Sequence, residues 1–438
     1  QSLGSFTLLQ RPAHEYQQLM RNGQLTSEDL VTSFLDQIDR HNEDRLKLKA
    51  ILSVCPRNIA LARARKLDEE RARGQIRGEL HGIPIILKDA IVTHPSLGMV
   101  TSAGSCAIAS LVAKRNATVV DKLLEAGIIV LGKGNLTVCG GSSVGPAVSI
   151  AAGFSPLGIG TETGGSNVLP ASANGLYGLT LPHGSVPIDG ISRIGAFSDR
   201  VGLMARDPHD LVALAKVLLL PPTSYDVVQA LEKDGNQAAS GWKGLSIGIL
   251  DSQWGIHSTI EWKWGSDEVK EKYASVAKKL EELGARVVYP LQHPPQWESL
   301  KFEGETLHTT LLDHEFADVL EDFIATNFER DSSLANLADV VAWNEAHADK
   351  AMPEPYTTQT ELIKALNDTM TSEKYEAAAT GLRHLARQDG MAKFMRDVDL
   401  DIVLSASDAS LISFSSSAGW PVATVPVANL AKNDQPWG

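Results

Sequence analysis

Ile83-Pro84-Ile85-Ile86-Leu87-Lys88-Asp89 is a run of five apolar residues that ends abruptly on two charges. A run this short, without alternation, reads as a strand buried on both faces rather than as a helix. Downstream, Thr118 to Glu125 reads as a capped helix stopping at Gly127, and Ile128 to Leu131 as a second buried strand. Ser155 to Gly160 repeats the strand texture, and the stretch after Ser166 is compatible with helix. Strand, helix and strand in alternation predict an α/β fold around a mainly parallel or mixed sheet.

Upstream of this run the chain reads as helix. Glu15 to Met20 ends at the turn signal Asn22-Gly23. Thr26 caps a second helix, whose Leu30, Phe34 and Ile38 recur at fourfold spacing before a break at His41-Asn42. Ile59 to Arg73 is a third, closing at Gly74. Beyond Tyr225, Leu245 to Leu250 and Ala285 to Tyr289 read as strands around an amphipathic helix from Val269 to Leu283. Residues 301–395 are largely helical, and strand texture returns at Asp401 to Ser405 and Pro421 to Pro426. The expectation is one domain over residues 1–438, with a core at 75–217 and a helical insertion at 301–395 that interrupts one sheet.

A chain of 438 residues can bury a sizeable core. Forty Lys and Arg stand against 53 Asp and Glu, a net charge of −13, which disfavours binding to nucleic acid or to an anionic membrane surface. No apolar stretch approaches the roughly 18 residues of a membrane span. Cys55, Cys106 and Cys139 are odd in number and widely spaced, which fits neither a disulfide framework nor a zinc site. Compartment stays open: cytoplasm is the default, and a secreted origin is compatible with a first residue that is Gln1.

The chemistry-bearing part lies between residues 140 and 178. Gly140-Gly141-Ser142-Ser143-Val144-Gly145 is followed by Gly160-Thr161-Glu162-Thr163-Gly164-Gly165-Ser166. Glycines let a turn gather several backbone N–H groups that side chains would obstruct. A serine ending such a turn and opening a helix sits beside donors suited to an oxyanion. Taken alone, either cluster also reads as a tight turn with serine caps. Gly141 to Gly145 also fits G-x-S-x-G with Ser143 as nucleophile, a reading that needs a strong preceding strand and a placed histidine; Thr137-Val138-Cys139 is a poor strand. His314-Glu315-Phe316-Ala317-Asp318 lacks the second histidine of a zinc-protease helix.

In order along the chain, His81 to Asp89, Gly140 to Gly145, Gly160 to Ser166 and Pro170-Ala171 resemble the amidase signature family. Thr101 to Ser105, Ala117 to Val120, Leu131 to Asn135, Met204 to Arg206 and Gly419 to Ala423 extend the resemblance over most of the chain. Leu337 to Ala348 is closest to the peptide-amidase-like branch. The resemblance implies a single large mixed β-sheet covered by helices on both faces. It implies Ser166 as the acylated nucleophile, Ser142 as a bridging serine held by a cis peptide bond, and Lys88 as the terminal base. The backbone N–H groups of Thr163, Gly164, Gly165 and Ser166 correspond to an oxyanion hole, and the 24-residue separation of the two serines matches the family's spacing.

A serine hydroxyl needs a base, and lysine serves only if burial lowers its pKa from about 10.4. Lys88 at the end of a buried strand meets that need, with Asp89 expected on the opposite face. A lone lysine in such a place otherwise reads as a solvated strand end. The chain departs from the family in the short Leu136 to Cys139 segment, in Val144 and Pro146, and in Thr180-Leu181-Pro182 where Gly-Leu-Lys-Pro is common. The resemblance also leads one to expect a further strand and helix beyond Gly438. No cofactor and no metal are expected. The expected partner is a small-molecule amide, neutral and partly apolar, with a homodimer as an option. An acyl or amide transferase on the same site and a catalytically silent binding protein are the alternatives.

Overall fold

The computed structural model describes residues 9–136, 141–223, 241–255, 266–306, 308–431 and 434–438. Helices form where capping and apolar spacing agree, beginning with α1 (Ala13–Arg21), α2 (Ser27–His41) and α3 (Arg57–Ala72). Thr26 caps α2: its hydroxyl accepts from Asp29 N at 3.0 Å, while the Asp29 carboxylate accepts from Thr26 N at 3.1 Å. Leu30, Phe34 and Ile38 are buried as their spacing predicts.

Six early strands are β1 (Ile51–Val54), β2 (Pro84–Lys88), β3 (Ile129–Gly134), β4 (Leu157–Glu162), β5 (Tyr177–Thr180) and β6 (Arg200–Ala205). Four later ones are β7 (Ser246–Ile249), β8 (Arg286–Val288), β9 (Ile402–Leu404) and β10 (Val422–Thr424). The large sheet has seven strands in the order β1-β3-β2-β4-β6-β5-β10. It is mixed: β2 runs parallel to β3 and β4, whereas β4 and β6 are antiparallel. β2 and β4 therefore lie inside the sheet, and both are buried along their whole length.

Helices cover both faces, and two adjacent residues of β6 show how. Leu203 joins a core that includes Val119, Val120 and Leu123 of α4 (Thr118–Glu125) and Leu211 and Leu214 of α7 (Pro208–Leu218). Met204, pointing the other way, packs with Ala147 and Ile150 of α5 (Val144–Ala151) and Ala171 of α6 (Val168–Ala173).

The later strands form where expected, but three of them do not extend the large sheet. β9 pairs with β7, and β7 with β8, as a separate parallel sheet of three. Its apolar face is taken up by Tyr273, Ala277 and Leu280 of α8 (Ser266–Glu282), which pack with Ile247 and Ile249. An apolar run encodes burial, not the identity of the neighbouring strand. Residues 301–395 open on a small hairpin, Lys301–Phe302 with Glu305–Thr306, and continue helical through α9 (Asp313–Asn327), α10 (Leu337–Ala346), α11 (Thr360–Leu366), α12 (Ser372–His384) and into α13 (Met391–Val398). They dock on the early half of the chain: Val92, Ala107 and Ile108 share a core with Leu320, Phe323 and Val340.

The first turn of α5 sits directly on the end of β3, where Gly145 N donates to Asn135 O at 3.0 Å. A Cβ on Gly145 would collide with Asn135 N and Ala50 O, which are backbone atoms and cannot rotate aside. Gly145→Ala should therefore cost about 1–3 kcal/mol, read as a lower Tm and an earlier urea midpoint than wild type.

Candidate active site

Lys88 ends β2 and is 2% exposed. Its Nζ lies 2.6 Å from Ser142 Oγ, 2.8 Å from Thr161 Oγ1 and 3.3 Å from Thr161 O. Burial pushes its pKa down to about 7, and the charges of Asp199 and Glu162, acting from beyond contact, oppose that shift without cancelling it. Asp89 turns away, as strand alternation requires, to Lys133 Nζ at 3.2 Å and to Ser102 N at 2.9 Å. Lys133 is equally buried, and desolvation holds it at about 8, but its contacts are the Asp89 carboxylate and Thr101 Oγ1. Of these two buried lysines, Lys88 is the one whose partners among the described residues are only hydroxyls and a carbonyl.

The two glycine–serine segments meet where Ser143 N donates to Ser166 O at 3.0 Å, so Ser142 and Ser166 come from turns that lie side by side. Both serines are half-buried. Gly141 and Gly165 have φ of 104° and 103°, and a Cβ on either would press on Pro170 Cδ at 2.6 Å or Leu169 Cδ1 at 2.8 Å. The cis peptide bond expected at Ser142 is not found: the cis bonds among the described residues precede Pro222, Pro290 and Pro355. The positive φ of Gly141 turns the chain there instead. Ser143 is fully buried, donating to Thr161 O at 3.1 Å and accepting from Thr161 N at 3.2 Å. It fastens α5 to β4 and is no exposed elbow nucleophile. From Thr137 to Gly140 the chain, including the short segment before the first cluster and Cys139, lies outside the described residues.

The N–H groups of Thr163, Gly164, Gly165 and Ser166 donate to no acceptor among the described residues. The next two, of Asn167 and Val168, both donate to Glu162 Oε2 at 3.0 Å. Glu162 is held in turn by Arg200, whose Nη2 is 3.3 Å from Oε1, and both side chains are fully buried. Arg200 also donates to Ser415 Oγ at 3.0 Å and to Ser416 Oγ at 3.3 Å. Sequence reasoning missed Thr161, Glu162, Asp199 and Arg200 as parts of the site. The available signal was a charge at the end of each of two strands otherwise too apolar or glycine-rich to face water, at Glu162 and at Asp199-Arg200.

A cavity of about 580 Å³ lies beside α6, lined chiefly by apolar groups such as Val168, Met391, Ile402, Ile412 and Trp420. No group of three or more His, Cys, Asp or Glu among the described residues is placed to hold a metal ion. No described helix is long and apolar enough to cross a membrane.

The family model for amidases matches residues 29–138 and 136–412. The chain belongs to the amidase family. Membership supports hydrolysis of amide bonds as its general activity. Among solved structures, the native peptide amidase of Stenotrophomonas maltophilia superimposes with a TM-score of 0.84 at 29% identity, covering 99% of this chain and 93% of that one. A Schizosaccharomyces pombe protein assigned as an amidase is 27% identical over 99% of this chain and 82% of its own length. One component of the glutamyl-tRNA(Gln) amidotransferase of Alkaliphilus metalliredigens is 33% identical, but the match spans 60% of this chain and 56% of that protein.

In this amidase the Glu162–Arg200 pair can be tested without reference to turnover. Removing one partner of a buried ion pair leaves the other charge uncompensated. Arg200→Met should lose about 3–5 kcal/mol in urea unfolding, and adding Glu162→Gln should restore part of that loss.

Proposed function

We propose that this amidase cleaves a carboxylic amide through an acyl-enzyme on Ser166, with Ser142 and Lys88 relaying protons, all within one domain whose residues 75–217 carry the chemistry. The observation that carries the reading is the Lys88 amine, buried with hydroxyl and carbonyl partners and 2.6 Å from Ser142 Oγ. A neutral amine there can accept a proton from Ser142 as Ser142 takes one from Ser166. Ser166 Oγ adds to the amide carbon, and the oxyanion is met by the free N–H groups from Thr163 to Ser166. The ammonium of Lys88 then returns its proton through Ser142 to the leaving nitrogen, the C–N bond breaks and the amine departs. Water attacks the ester by the same relay, releasing the acid and restoring Ser166.

For the substrate we infer a neutral, partly apolar amide of the kind a peptide amidase accepts. The likeness to that enzyme over 99% of the chain and the apolar cavity beside α6 support this choice. A panel of aryl, alkyl and peptide amides tests it, and exclusive turnover of a carboxylate-bearing amide would refute it.

Ser166→Ala should lower kcat by about 10⁴-fold or more with an unchanged Tm, because it removes the group that forms the covalent bond. Ser142→Ala should retain slow acylation, since water can partly replace a relay. Peptide mapping after reaction with a slow carbamate should place the adduct on Ser166; an adduct on Ser143 would sink the assignment.

The pH profile tests Lys88. Only the neutral amine accepts a proton, so kcat/KM should rise through a limb near the value of about 7 set by burial. Lys88→Ala should remove that limb and about 10³-fold of the rate. Lys88→Arg should do no better, because a guanidinium stays charged. A Lys88→Ala enzyme that keeps both rate and limb rules lysine out as the base.

A further inference from the structure

The loop from Ile194 to Asp199 leads into β6 and is gripped from the helical region at 301–395. Glu315 of α9 is buried, and Phe197 N donates to its two carboxylate oxygens at 3.1 and 3.2 Å. The phenol of Tyr375, on α12, donates to the same carboxylate. Arg383, also on α12, donates to Phe197 O at 2.8 Å and stacks its guanidinium 3.9 Å from the Phe197 ring. Gly195 passes so close that a Cβ there would strike the Glu315 carboxylate. At the far end of the loop the buried Asp199 carboxylate accepts from Ile194 N at 2.6 Å, closing the loop on itself.

This loop borders the candidate site. The β4–β6 register pairs Glu162 with Arg200, which sets Asp199 against Thr163, two residues beyond the Thr161 that holds Lys88. We propose that Glu315 is a positioning residue for this site: by gripping the backbone at Phe197 it holds the loop, and with it the Asp199 carboxylate, in place beside the Lys88–Ser142 pair. The inference rests on the reading of Lys88 as the base.

Besides the groups that face Lys88 and Glu315 directly, His183 lies 2.9 Å from Ala196 O of the loop, and Arg200 and Arg387 face Arg383. Lys88 faces Asp199 and Glu162, the latter paired with Arg200, while Asp89 is engaged by Lys133 on the opposite side. Glu315 faces Tyr375, Arg383 and Asp199. Its neighbour His314 is engaged by Asp368 at 2.7 Å. Asp199 opposes the desolvation of the Lys88 amine, so withdrawing that carboxylate favours the neutral base.

The test uses the full chain and a fluorophosphonate, whose P–F bond is replaced by a P–O bond to Ser166 Oγ, with the labelling rate followed from about pH 5 to about pH 9. Asp199→Asn should move the acid limb to lower pH, so that near pH 6 the rate relative to its plateau rises roughly threefold. Glu315→Ala should move the limb the same way, and should move it no further when Asp199→Asn is already present. Glu315→Gln, which keeps an acceptor for Phe197 N, should return the limb towards wild type. Gly195→Ala displaces the loop from the other side and reads the same effect if Glu315→Ala does not fold. A limb that stays at its wild-type position in these loop variants, moves to higher pH, or moves equally with and without Asp199 overturns the proposal. If Lys88→Ala keeps the limb, the reading of the site falls first; if the limb depends on Lys88 and ignores Glu315, only the positioning role falls.

Discussion

An amine taken out of water with no carboxylate in contact is the condition on which this site depends. Moving lysine from 10.5 to about 7 corresponds to a bias of roughly 5 kcal/mol towards the neutral form. That bias survives only while no carboxylate touches Nζ. The threat is close at hand, since Asp89 is the next residue. Alternation along the strand sends Asp89 to the other face, where Lys133 takes it up at 3.2 Å. Two buried lysines thus divide the available charge: one is tied to its carboxylate, the other is left with Ser142 and Thr161. Register and pleat, which are properties of β2, set the acid–base character of Lys88.

The turn before Ser166 solves a second problem, that of keeping donors unused in a buried place. Unpaired backbone N–H groups are costly, and a turn so rich in glycine would ordinarily find partners for them. Here the division is made by Glu162. Its carboxylate takes the N–H groups of Asn167 and Val168, which start α6, and those of residues 163–166 have no acceptor among the described residues. Arg200 fixes the carboxylate in turn, and the antiparallel register of β4 and β6 brings the two together. The buried ion pair therefore shapes the turn rather than adding to stability, in line with the modest net worth of such pairs.

Much of this was legible in the sequence, because local rules decide it. The helix at Ser27–His41 follows from Thr26 and a fourfold apolar spacing, and β2 follows from an unbroken apolar run. Lys88, Ser142 and Ser166 were singled out by the company of three motifs; Lys88 lies 2.6 Å from Ser142 Oγ, and the backbone of Ser166 meets that of Ser143. What stayed hidden is non-local. Nothing in Ile247 or Val403 says that β7 and β9 pair with each other and leave the large sheet alone. Thr161 is 73 residues from Lys88, and Glu315 is 118 from Phe197. Contacts at such separations are created by topology, and a single chain read in order carries no record of them. The cis bond expected at Ser142 failed for a different reason, since it was carried over from resemblance alone.

The Lys88–Ser142 pair and the apolar cavity also come from different stretches of chain. The described hydrogen-bond partners of Lys88 lie between β2 and β6, at Ser142 and Thr161. The apolar cavity includes Val168 of α6 but takes most of its wall from residues 391–427. An apolar wall discriminates weakly per group, at about 1–3 kcal/mol for each methylene, so a ligand held there would be chosen by shape summed over many contacts. The helical region adds a third arrangement, because Glu315 and Arg383 reach across to the backbone of Phe197 in the loop before β6. The wall is itself constrained where Ser415 and Trp420 hold Arg200, and α9 and α12 are constrained at the few residues that grip the loop.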